Sequence, residues 1–175
     1  MKFQDIPKFV INLETRPDNL ELIKKEMDYM GWEFEKFNAI NRNSYMGCTL
    51  SHLGVIEIAK ERGYDRVMVI EDDCVFMPYA KSLLENIEKQ IDGIEFGVLN
   101  ITPTLNRKVN LSDKYDLLLD ITNVPPKENE AHTETFATNI LIYDKSVYDE
   151  MFNISLTAFT TSGDYYFPID GYLVN

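Results

Sequence analysis

Arg66-Val67-Met68-Val69-Ile70 is an apolar run without alternation, and it leads directly into Glu71-Asp72-Asp73. A strand with one wet face alternates polar and apolar residues. An unbroken run fits a strand covered on both faces, as in a parallel sheet between helices. The rest of the chain repeats this theme. Phe9-Val10-Ile11-Asn12-Leu13 is a short apolar run after Pro7 and reads as a buried strand. Thr15-Arg16-Pro17-Asp18 predicts a capped helix start at Thr15, Leu20, Ile23, Met27 and Met30 share one helical face, and Gly31 stops the helix. Trp32 to Phe37 alternates as a half-buried strand, residues 38–48 read as a polar loop, and a second helix is expected from about Thr49 to Arg62. A helix over Pro78 to Ile91, a strand over Phe96 to Ile101, a loop over 102–114 and a weaker strand over Tyr115 to Ile121 follow. Pro125 to Glu130 reads as an exposed loop, Phe136 to Tyr143 as a strand and Lys145 to Phe152 as a short helix. Strands alternating with helices predict an α/β fold with a mainly parallel central sheet flanked by helices. At 175 residues, with no repeat or linker, residues 1–175 read as one domain.

Charge limits the partners. The formal net charge is −12, which argues against nucleic acid and against a polybasic membrane contact, since both gain affinity by neutralising phosphates. An anionic ligand therefore needs local neutralisation, for which a divalent cation is the natural agent. The longest apolar run, about six residues, is far short of the roughly 20 that span a bilayer. No apolar signal segment follows Lys2. Two cysteines, Cys48 and Cys74, make no disulfide framework and read as reduced thiols of a cytoplasmic protein.

Three features carry candidate chemistry. Glu71-Asp72-Asp73 places mutually repelling carboxylates where an apolar strand ends, at the sheet edge where ligands bind. Glu71 and Asp73 alternate on an extended segment and can address one Mg²⁺ or Mn²⁺; the same run also serves as a solvated turn. Gly47-Cys48-Thr49-Leu50-Ser51-His52 stands at the expected start of the second helix, whose free N–H groups suit a phosphate; the plain alternative is a capped helix with an incidental histidine. Asp164-Tyr165-Tyr166-Phe167-Pro168-Ile169-Asp170 combines acids and aromatics, as sugar sites do and as ordinary cores do. His132 reads as a surface residue, and Cys48 has no sequence neighbour to activate it as a nucleophile. No glycine-rich phosphate loop and no His/Cys metal cluster is visible, and without a phosphate loop or a further Asp motif a phosphoryl-transfer reading of the three acids is the weaker one.

Taken in order, these segments resemble glycosyltransferase family 25, the lipopolysaccharide-biosynthesis type. The resemblance rests on Phe9 to Leu20, with Asn19 where the family often has a second Arg, and on Phe37-Asn38-Ala39-Ile40. It continues through Gly47-Cys48-Thr49-Leu50-Ser51-His52, Val69-Ile70-Glu71-Asp72-Asp73, Thr138 to Lys145 and Pro168-Ile169-Asp170. It implies a GT-A-type fold, a nucleotide-sugar donor, a divalent metal and inversion at the sugar carbon. On that basis the chain is expected to move a hexose such as galactose or glucose from a UDP-linked donor to a hydroxyl of a glycan or glycoconjugate. Glu71 and Asp73 would hold Mn²⁺ or Mg²⁺, Asp72 would support the metal or the donor ribose, and Asn12, Arg16, Ser51 and His52 would line the donor pocket. Asp170, with Asp164 as its substitute, would take the acceptor proton. Family members are usually longer at the C-terminus, so the alternative is a non-catalytic nucleotide-sugar or glycan-binding remnant of such an enzyme.

Overall fold

A computed structural model describes residues 1–42, 44–101 and 139–153. The elements are β1 (Lys8–Asn12), α1 (Pro17–Met30), β2 (Glu35–Asn38), α2 (Ser44–Glu61), β3 (Arg66–Glu71), α3 (Ala80–Gln90), β4 (Val98–Asn100) and β5 (Ile140–Asp144). Residues 148–153 add a helical turn after β5. The strands form one open mixed sheet in the order β2-β1-β3-β5-β4. β1 pairs in parallel with both β2 and β3, whereas β5 runs antiparallel between β3 and β4. This α/β sheet matches the expected class, with β5 as the one reversed strand.

Alternate residues of the strands supply two cores. Val10, Met68, Ile70, Leu99 and Ile142 pack on one face with Ile23, Met27 and Met30 of α1 and Leu84 of α3. Phe9, Ile11, Val67, Val69, Leu141 and Tyr143 pack on the other face with Leu53, Ile56 and Ala59 of α2. The apolar run of β3 is therefore unbroken because both of its faces are covered. Each fully buried aliphatic side chain there contributes about 1.5–3 kcal/mol.

Local boundaries shift in instructive ways. α1 starts at Pro17, with Arg16 at the cap and no side-chain cap bond, so Thr15 does not form the expected capping box. Gly31 ends α1 at φ 74°, as expected of a left-handed cap. β2 is an edge strand with only Phe37 partly buried, and Trp32 packs in the core before it. α2 begins at Ser44 rather than near Thr49, so Gly47-Cys48 lies inside the helix. Gly47 reads as a loop residue because glycine costs a helix interior about 1 kcal/mol. A Cβ there would lie 2.5 Å from the Ile40 carbonyl oxygen, and that close approach of chain to helix explains the glycine. The readings over 102–138, including the strand at Tyr115 to Ile121 and His132, lie outside the described residues.

Candidate functional site

The ends of β1 and β3 and the early turns of α2 meet at the carboxyl edge of the parallel half of the sheet. A cleft of about 260 Å³ opens there, lined by Arg16, Arg42, Cys48, Ser51, Glu71 and Asp72 with apolar walls from Ile11 and Ala39. This is the edge at which open α/β sheets leave room for ligands.

Asp72, one residue past β3, is buried and heavily engaged. Its Oδ2 accepts from Asn12 Nδ2 at 2.7 Å, and its Oδ1 accepts from Asn19 Nδ2 at 3.2 Å. Arg16 Nη1 lies 3.4 Å from Oδ1. Asn12 Nδ2 also donates to the Arg16 carbonyl at 2.9 Å. One carboxylate thus ties the end of β1 to the start of α1 and aims Arg16 at the cleft. Asn19, where a second arginine was anticipated, donates to this same carboxylate. Asp72→Ala should lower stability by about 2–4 kcal/mol, since hydrogen bonds to a charged group are worth about 1.5–3 kcal/mol and buried Asn12 would lose its partner. Urea unfolding at pH 7 checks this, and a loss under about 1 kcal/mol would show that the network contributes nothing.

Ser51 anchors the opposite wall. Its Oγ donates to the Gly47 carbonyl at 2.6 Å and accepts the Ile40 N–H at 2.8 Å, and the residue is fully buried. Gly47 and Ser51 therefore fix the segment between β2 and α2 that carries Arg42. The expectation of free helix-terminal N–H groups at Cys48 fails, because α2 has already run a full turn by that residue.

His52 lies beneath the cleft rather than in its lining and is fully buried. Its Nδ1 is 2.9 Å from the Tyr143 hydroxyl, with the two rings edge to face at 5.9 Å. Its Nε2 has no hydrogen-bond partner and lies 3.8 Å from Glu71 Oε1. The same oxygen is 3.6 Å from Cys48 Sγ. The ligand atoms of Cys48, His52 and Glu71 all lie within 4.8 Å of one another. A cluster of metal-capable side chains therefore exists where sequence inspection found none.

Asp73 sits exposed beyond this turn. Loss of hydration and the neighbouring Glu71 and Asp72 carboxylates raise its pKa above the ordinary value. Cys74 is buried, and burial pushes its thiol up to about 12, which makes it an unreactive core residue. Neither cysteine is in a disulfide.

The structure thus brings Arg16, Ser51, Glu71 and Asp72 to one cleft, with Asn12 buried behind Asp72, His52 below and Asp73 just beyond. Asp164 and Asp170 lie outside the described residues. Arg42, which lines the cleft, and Tyr143 carry no signal in the sequence, and the role of Asn19, like that of Tyr143, lies in a partner distant in the chain. No helix among the described residues is long and apolar enough to cross a membrane.

Residues 42–148 match the sequence model of a family described as glycosyltransferase family 25 (LPS biosynthesis protein). That range includes both the Gly47–His52 and the Glu71–Asp73 segments. A similar solved structure is a glycosyltransferase involved in the glycosylation of the major capsid of PBCV-1. The likeness has a TM-score of 0.52 at 12% identity and covers 94% of this chain and 71% of that one, which supports the fold. No curated protein matches significantly.

Proposed function

This chain belongs to glycosyltransferase family 25, and from that premise we propose that it moves a hexose from a UDP-linked donor to a glycan or glycoconjugate hydroxyl with inversion. The observation that carries this reading is the cleft where Arg16 and Arg42 face Glu71 and Asp72. Arginines for a diphosphate and the Glu71 carboxylate for a divalent ion stand in one recess, with Asp73 just beyond it, in a chain whose net charge is −12. Mn²⁺ or Mg²⁺ fits Glu71 and Asp73 in its donor chemistry, because hard cations prefer carboxylate oxygens. The pKa of Asp73 is raised first by loss of hydration and then by the neighbouring Glu71 and Asp72 carboxylates, and a cation there would relieve the second of these. Bound there, the cation would act as a Lewis acid on the departing diphosphate.

The chain's own residues do the remaining work in this reading. Asn12 and Asp72 hold Arg16 toward the donor phosphates. Gly47 and Ser51 hold the Arg42 segment against them. The Asp170 carboxylate, or Asp164 in its place, accepts the acceptor hydroxyl proton as that oxygen bonds to the anomeric carbon and the nucleotide leaves from the opposite face. A cytoplasmic location is part of the reading, supported by two cysteines outside any disulfide, as a reducing compartment keeps them.

Thermal unfolding with UDP tests it. At about 100 times its Kd, UDP should add about 2.7 kcal/mol when Mn²⁺ or Mg²⁺ is present and far less in excess chelator. Equal stabilisation under both conditions would remove the metal bridge. Incubation with UDP-hexoses and Mn²⁺ should release UDP, and a donor set that binds without turnover would favour a binding module instead.

A further inference from the structure

Cys48 and His52 are four residues apart on α2 and so share one helix face. Glu71, at the end of β3, comes to both from across the sheet. Tetrahedral Zn²⁺ binds sulfur at about 2.3 Å, imidazole nitrogen at about 2.0–2.1 Å and carboxylate oxygen at about 2.0–2.2 Å, which places neighbouring ligand atoms about 3.4–3.6 Å apart. Cys48 Sγ to Glu71 Oε1 is 3.6 Å, and His52 Nε2 to the same oxygen is 3.8 Å. Two edges of a ligand triangle are therefore already near metal-binding length, and the third is under 4.8 Å.

The histidine supplies an independent sign. Its Nε2 is buried and without a hydrogen-bond partner, a costly state for a polar atom. Metal-ligating histidines usually use their second nitrogen to bond an outer partner that fixes ring and tautomer. The Tyr143 hydroxyl stands 2.9 Å from Nδ1 in that role. With Nδ1–H donating to Tyr143, the Nε2 lone pair points into the cluster. Charge agrees as well: a thiolate, a neutral imidazole and a carboxylate together balance a divalent ion, which suits a site this deep.

We infer that Cys48, His52 and Glu71 form a three-ligand site for a borderline divalent cation of the Zn²⁺ class, with its fourth position open to the cleft. Cys48 and Glu71 line the cleft, so a water or an anionic ligand oxygen can reach the ion. This site shares Glu71 with the all-carboxylate arrangement of Glu71 and Asp73 but differs from it in donor chemistry, and it stands whether or not the chain transfers sugar. On binding, the metal–sulfur bond replaces the S–H bond of Cys48, and the proton leaves to solvent.

Co²⁺ added to the chelator-treated full chain, without nucleotide, tests the inference. Wild type should develop a near-ultraviolet thiolate-to-cobalt charge-transfer band at one ion per chain, and Zn²⁺ should abolish it by displacement. Cys48→Ser, a near-isosteric change, should lose the band, whereas Cys74→Ser should keep it. Tyr143→Phe should keep the band and weaken Zn²⁺ binding about 10–100-fold. The absence of a band in wild type, or a band that survives Cys48→Ser, would overturn the site. Metal-free melting curves of each variant establish that a lost band reflects a lost ligand rather than an unfolded chain.

Discussion

Asp73→Asn should lower sugar transfer by about 10²–10³-fold while leaving the metal-free protein at least as stable as wild type. The rate effect follows from the Lewis-acid role proposed for the ion at Glu71 and Asp73, a role worth several kcal/mol at about 1.4 kcal/mol per tenfold. The stability effect follows from the direction of the Asp73 shift. Its pKa is raised in the folded state, by partial burial and by Glu71 and Asp72. An acid with a raised folded pKa makes the native state bind more protons than the unfolded chain. Its contribution therefore becomes less favourable as pH climbs from the unfolded value, 3.8, through the folded one, and it remains a penalty above both. Replacing it with a neutral amide removes that penalty at neutral pH. Melting curves from pH 3 to 8 with matched transfer assays check both halves. Wild-type turnover in a folded Asp73→Asn protein would exclude Asp73 from the site.

Much of the fold was legible because burial writes directly into residue type. Val67 to Ile70 had to be covered on both faces, and α1 and α3 on one side with α2 on the other do so. The direction of β5 was not legible. Ile140-Leu141-Ile142-Tyr143 is equally apolar in either orientation, and only its pairing with Arg66 to Ile70 shows that it runs against β3. The start of α2 was misread because glycine propensity points to a loop, whereas Gly47 answers to the Ile40 carbonyl packed against the helix. Propensity is a local signal, and here a tertiary contact overrode it.

The site divides along the same line. Three acids after a buried strand are a local anomaly, and they did mark the cleft edge. Asn12 and Arg16 were legible through the family resemblance of the Phe9 to Leu20 segment, but their attachment to Asp72, 60 residues from Asn12, was not. Cys48 and His52 lie four residues apart, a pair that does not by itself mark a metal cluster. Glu71, which completes the cluster, and Tyr143, which orients His52 from 91 residues away, belong to other strands. Sequence can suggest a helix face with two donors, but the third donor and the buried unpartnered nitrogen exist only once the sheet is assembled.

Asp170→Asn should slow transfer on the order of 10²-fold or more while UDP and metal affinity stay near wild type. Tyr165, Tyr166, Phe167 and Pro168 precede Asp170 in the sequence, and apolar surroundings in general favour the protonated form of a carboxyl group. A carboxylate so tuned is a stronger base at neutral pH than an exposed one. The acceptor hydroxyl gives up its proton only as its oxygen bonds to the anomeric carbon, so loss of the base should appear in the transfer rate and not in donor binding. A metal-ligand role would instead show as weakened Mn²⁺-dependent UDP binding, and a packing role as a lowered melting temperature. Asp164→Asn, measured alongside, separates the two acids: the base is the one whose amide variant slows transfer with binding intact. If both variants transfer at the wild-type rate, neither acid takes the proton, and the base must be sought elsewhere in the chain.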